Sequence, residues 1–190
     1  MSLKLFRSTG YSSILAPGET RVATHPGWLV LATSLWIGFA SNVALWRALI
    51  SGVESGRGLG WALTAGVFAT AASGAVLSLL GWRRTFKPAA TVLLLLAALA
   101  ACGIWFQSLP LEASLLDRGL AALLPAWPSL LRWQVPVLLL VLALMPMLWL
   151  WNTQVRRLPG PEQLGVNAAG MAAGAAVVAV SGYLLMRGFT

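Results

Sequence analysis

The sequence predicts an all-α integral membrane protein with five transmembrane helices and an interfacial amphipathic helix between the third and the fourth. Three observations carry that reading. Of 190 residues, 58% are hydrophobic and only 9% charged, whereas a soluble surface needs about a quarter or more of the residues charged. From Pro88 to Leu109 no formal charge interrupts the chain, and at about 1.5 Å of rise per residue roughly 20 apolar residues cross a hydrocarbon layer of about 30 Å. Lys, Arg and Trp collect at the ends of such runs, at headgroup depth. The runs show no period of two, and only helices and closed barrels satisfy their backbone in lipid, so these are helices.

Composition also excludes. The net charge of +8 comes from thirteen Lys and Arg scattered in twos and threes, a topology signal rather than the face-clustered patch that nucleic acid requires. Cys102 is the single cysteine and His25 the single histidine. Neither a disulfide nor a zinc or bis-histidine haem site can be assembled from them, so no metal and no cofactor are expected.

Residues 1–26 read as a cytoplasmic tail without a cleavable signal, since no apolar core is followed by a small-residue cleavage site. Residues 27–190 form the membrane domain. The first span is placed at about 27–46, between Trp28 and Trp46, and the second at 61–82, where Gly66, Thr70 and Gly74 recur every four residues to admit a close helix. The third covers 88–109. Over Leu111 to Leu124, leucines recur at helical spacing while Glu112, Asp117 and Arg118 fall mostly on the other face, which gives the interfacial helix. The fourth span is 133–151, with a kink expected near Met145 because Pro146 stands inside it. The fifth is 165–186, where Ala168, Ala172, Ala175, Ala179 and Gly182 form a small-residue face overlapped by the GxxxG pair Gly170 and Gly174. That face is expected to meet a helix of this chain or of a protein partner.

Counting Lys and Arg by side gives eight against five for a cytoplasmic N-terminus and a periplasmic C-terminus.

Several short motifs point to a family. Asn42 followed by Trp46-Arg47 closes the first span, Phe86-Lys87-Pro88 opens the third ahead of a leucine run, and Leu144-Met145-Pro146 then Leu148-Trp149 lead to a basic exit at Arg156. In these the chain resembles the N-terminal membrane domain of the bacterial phosphoethanolamine transferases that modify lipid A. The resemblance implies a multi-pass protein of the bacterial inner membrane. In that family a periplasmic domain with a threonine nucleophile and zinc follows the fifth span; here the sequence ends at Thr190, and no such apparatus is expected. The segment 111–124 also departs from the family's Thr-Tyr-Gly run and its Asn, Thr and Glu series.

No catalytic residue is nominated. Asn42, Arg47, Glu112, Asp117 and Arg118 are the candidate contacts to phospholipid headgroups, because carboxylate suits ammonium and guanidinium suits phosphate. Structural roles compete for each: helix packing or snorkelling for Asn42 and Arg47, and a wet interfacial face for the other three. The functional expectation is a non-catalytic, lipid-contacting accessory or interaction subunit. The alternatives are the membrane half of an active transferase with its chemistry on another chain, and a small channel or transporter. The last is disfavoured by span interiors that lack ionisable residues.

Overall fold

A computed structural model describes residues 23–50, 56–82, 84–107, 133–156 and 158–187. The tail up to residue 22 and the expected interfacial helix at 111–124, with Glu112, Asp117 and Arg118, lie outside the described residues. The elements are α1 (Pro26–Leu35), extended by a π-helical turn over Trp36–Ala40; α2 (Val43–Ile50); α3 (Gly56–Leu79); α4 (Phe86–Gln107); α5 (Gln134–Leu139), a second π turn (Leu140–Leu144) and α6 (Met145–Asn152); and α7 (Gly160–Arg187). The fold is all-α, as a membrane protein's must be when it is not a barrel.

Four crossings are long and apolar enough to span: α3, α4, the α5 to α6 run, and α7. The first apolar run, on the N-terminal side of these four and named the first crossing by its place in the chain, departs from the single helix expected at 27–46: its helical part, Pro26–Ala40, is shorter than the four, and α2 follows it. It starts where His25 caps it, with Gly27 N–H donating to His25 Nδ1 at 3.1 Å and Pro26 in the first turn. It then breaks at Ser41 and Asn42. Asn42 Oδ1 accepts from Leu45 N–H at 3.1 Å and so caps α2, a competition between amide side chain and backbone that hydropathy does not register. Trp46 Nε1 donates to Ala40 O at 3.1 Å, which provides a partner beside the break.

The helices α7 and α3 pack side by side, the first crossing lies on the other flank of α3, and α4 pairs with the fourth crossing. Two apolar clusters hold the first crossing to that pair. Near the end where the chain enters the bundle, Leu29 packs with Leu77, Phe86, Ala90 and Leu150; towards the far end, Val43 packs with Ala98, Ala101, Leu142 and Ala143. Leaving the entry end, Thr24 N–H donates to Gln154 O and Arg156 N–H to Thr24 O, each at 2.9 Å, stapling the first crossing's approach to the loop after α6.

Where a bend is expected near Met145, the helix carries the π turn Leu140–Leu144, which ends two residues before Pro146. Pro146 has no N–H to give to Leu142 O four residues earlier. That carbonyl accepts instead from Trp36 Nε1 at 3.0 Å, across the bundle from the first π turn. Trp36→Phe is expected to cost about 1 kcal/mol, the net worth of one hydrogen bond. The cost should shrink in a Pro146→Ala background, whose new N–H serves Leu142 O; a double-mutant cycle of unfolding free energies in mixed micelles checks the coupling.

Candidate functional site

Apart from the Trp36 bond, the side-chain hydrogen bonds that join different helices of the described bundle lie near its two ends, while Ser34, Thr70, Ser73 and Ser181 between them bond to carbonyls of their own helices. At the far end Arg47, on α2, reaches the last turn of α4, where an ending helix does not itself satisfy its carbonyls. Its Nη2 donates to Ile104 O at 2.8 Å and to Trp105 O at 3.1 Å, and the guanidinium stands 5.8 Å from the Trp105 ring centre. A cation there also meets the negative end of the helix dipole. Five residues earlier Asn42 ties the break to the second crossing, with Nδ2 donating to Ala62 O at 2.9 Å.

The entry end repeats the device with a lysine. Lys87 Nζ donates to Trp151 O at 3.1 Å and Thr153 O at 2.9 Å, closing the last turn of α6, and lies 5.7 Å from the Trp151 ring centre. One turn further along α4, Thr91 Oγ1 accepts from Trp151 Nε1 at 3.1 Å. Gln163 Nε2, buried at the start of α7, donates to Gly81 O at 3.0 Å and to Asn167 Oδ1 at 2.9 Å.

Asn42 and Arg47 are thus brought together near the far end, both bonded to neighbouring helices. Arg47→Ala is expected to lower stability by about 2 kcal/mol, since a hydrogen bond from a charged group is worth roughly 1.5 to 3 kcal/mol. Arg47→Lys should recover part of that loss. Unfolding midpoints of the three proteins at equal detergent concentration check the order.

On α7 the glycines and alanines divide. A Cβ on Gly170 would overlap the Ser78 hydroxyl, and one on Gly174 would meet Ala75 Cβ at 2.9 Å and Ala71 O at 3.0 Å. Gly182 faces Phe68 at a looser 3.5 Å. Gly170 and Gly174 therefore seat α7 on α3. Ala168, Ala172, Ala175 and Ala179 are exposed. The stripe expected to act as one face is two faces, one closed and one open.

Lys87, Gln163 and Trp36 were not among the candidates read from sequence. Lys87 entered only the orientation count and the Phe86-Lys87-Pro88 motif, and Trp36 resembled any interior aromatic residue. The available signal for Trp36 was Pro146, which announces an orphaned carbonyl without saying which donor reaches it. Among the described residues, no three His, Cys, Asp or Glu side chains stand together as metal ligands.

A family model described as phosphoethanolamine transferase EptA/EptB, for the N-terminal domain, matches residues 69–190, well over half of the chain. The chain belongs to this family. No curated protein and no solved structure matches it. In this EptA/EptB family member the match begins within α3 and takes in every later helix, so the Phe86-Lys87-Pro88 and Leu144-Met145-Pro146 motifs lie inside it. The Asn42 to Arg47 motif precedes it. Membrane residence follows from the family and from the apolar helices together.

Proposed function

We propose that the chain is a non-catalytic accessory or interaction subunit of the bacterial inner membrane, derived from the phosphoethanolamine transferase membrane domain and in contact with phospholipid. The observation that carries this reading is the split face of α7. Its glycine side closes on α3, while Ala168, Ala172, Ala175 and Ala179 stay exposed on a helix at the edge of the bundle. Small residues in lipid let a second backbone come close, so this is the surface a partner helix fits best. Headgroup contact is assigned to the far end, where Arg47 lies beside Trp105 and to which Glu112, Asp117 and Arg118 connect in sequence. The basic count supports a cytoplasmic N-terminus and a periplasmic C-terminus.

Intact-assembly mass spectrometry of the protein extracted into lipid nanodiscs tests the proposal. Stoichiometric partner chains that are lost in Ala172→Leu with Ala179→Leu support it; a chain that travels alone with lipid overturns the interaction role. The family match itself favours a second reading, the membrane half of an active transferase whose chemistry resides on another polypeptide. Metal-dependent transfer of phosphoethanolamine that appears only on mixing with a soluble partner would establish that reading in place of the first.

A further inference from the structure

An apolar groove of about 500 Å³ runs between the first crossing, α3 and α7, where Gly27, Ala71, Gly74, Gly170 and Ala173 bring little or no side chain to fill it. Its lining extends from Pro26 to Phe39 on the first crossing, from Val67 to Ser78 on α3 and from Val166 to Val177 on α7. At 1.5 Å of rise per residue each wall is about 17 Å long, close to one leaflet of a hydrocarbon core of about 30 Å. The groove starts at headgroup depth, next to exposed Trp28. Spread over that length, the volume gives a section of about 30 Å², against about 80 Å² for an α-helix 10 Å across. A partner helix does not fit within it, whereas one alkyl chain does. Leu31, Leu35, Val67 and Val177 line the groove and remain exposed, so it opens sideways to the surrounding hydrocarbon. Its hydroxyls turn away from an occupant, Ser34 donating to Val30 O and Thr70 to Gly66 O within their own helices.

The entry end of the groove is suited to a headgroup. A Cβ on Gly27 would touch Val166 there, so a chain enters from the side rather than from the end. Both α1 and α7 begin at this depth, which turns two positive dipole ends towards the headgroup layer. Exposed Arg156 is bonded through its backbone N–H to Thr24 O, two residues before Pro26. Glu162, on the first turn of α7, is the only carboxylate among the described residues, against Arg84, Lys87 and Arg156 at this end. Asn167 lines the groove, accepts from Gln163, and has its buried Nδ2 without a partner among the described residues. We infer that the groove binds one acyl chain of a phospholipid from the leaflet at the entry end, with the ester and phosphate oxygens near Asn167, Arg156 and the starts of α1 and α7. Hydrocarbon already surrounds the bundle, so the gain is packing: an unfilled groove forfeits dispersion contacts that a seated chain restores. The lipid joins α7, at the edge of the bundle, to the first crossing. This seat is separate from the far-end headgroup contact, and at 100° per residue Val166, Gly170, Ala173 and Val177 lie on the side of α7 opposite the exposed alanine stripe.

Native mass spectrometry of the full chain, released from nanodiscs of phosphatidylcholine and phosphatidylglycerol, tests the seat. Ala173→Phe fills the groove, and Ala172→Phe adds the same bulk to the outer stripe; both alanines are exposed. The native chain and Ala172→Phe are expected to keep one phospholipid under activation that strips surface lipid, and Ala173→Phe to lose it. Arg156→Gln should weaken retention of phosphatidylglycerol about fivefold, the worth of one basic residue at an anionic lipid surface. Photocrosslinking of the native chain by a phospholipid with a diazirine in its acyl chain needs no substitution and serves if Ala173→Phe does not fold. It should label Leu31, Leu35, Ala173 and Val177 well above Ala168, Ala172 and Ala179. Equal retention in Ala173→Phe and Ala172→Phe, or labelling spread evenly around α7, would overturn the site. So would a protein chain, rather than a lipid, that is lost on Ala173→Phe, since the groove would then seat a partner. Unchanged retention in Arg156→Gln would remove the assigned place of the phosphate.

Discussion

Gly38→Leu is expected to destroy the native bundle, at a cost of about 3 kcal/mol or more, the upper range for overpacking a close contact. A Cβ on Gly38 would overlap Thr70 Oγ1 and stand 2.5 Å from Gly66 O and 2.8 Å from Thr70 N. Two of those three atoms are backbone, so no side-chain rotation relieves the clash. The crossing would have to move off α3, and with it the Asn42 to Ala62 O bond and the leucine cluster around Leu29. Equilibrium unfolding in mixed micelles reads the effect. Gly165→Ala, where a Cβ meets nothing within 4 Å, is the control and should leave stability unchanged or raise it. Equal stability of Gly38→Leu and the native chain would show that the first and second crossings do not pack as described.

Gly170→Leu with Gly174→Leu should detach α7 from α3 and lower stability by about 3 kcal/mol, because each new side chain would enter space held by Ser78 or by Ala71 and Ala75. Ala172→Leu with Ala179→Leu, on the exposed stripe, should leave the stability of the isolated chain within about 0.5 kcal/mol, as surface changes usually do. The pair separates packing within the chain from binding to a partner. Limited proteolysis after Arg187 and around Arg156 reports detachment of α7, and the assembly mass reports association. A fully stable Gly170→Leu, Gly174→Leu protein would remove the assigned α3 to α7 seam.

The membrane character of the fold, its later four crossings and the family were legible in the sequence, because each rests on local or linear information. Hydropathy over about 20 residues marks a crossing wherever the helix later packs. Trp28, Trp82 and Trp151 mark one end and Trp46, Trp105 and Trp133 the other, and all six are exposed, as interfacial anchors are. The recurrence of Gly66, Thr70 and Gly74 announced a close helix but not its identity. Gly38 faces Gly66 and Thr70, and Ser34 faces Gly74, so both neighbours come from the first crossing.

What the sequence determined by itself is the solvent, the number of hydrophobic runs and the residues at their ends. Only the tertiary structure decided that the first run breaks at Asn42, that Arg47 and Lys87 close the ends of other helices, and that α7 turns Gly170 and Gly174 inward and Ala168, Ala172, Ala175 and Ala179 outward. The reason is physical. Lipid tails are as apolar as leucine, so burial does not choose among helix faces; the choice falls to close steric fit and to backbone carbonyls that need donors. Both depend on residues on different helices, from Gly38 and Gly66, 28 positions apart, to Trp36 and Leu142, 106 positions apart, and no periodicity within one helix encodes which distant neighbour arrives.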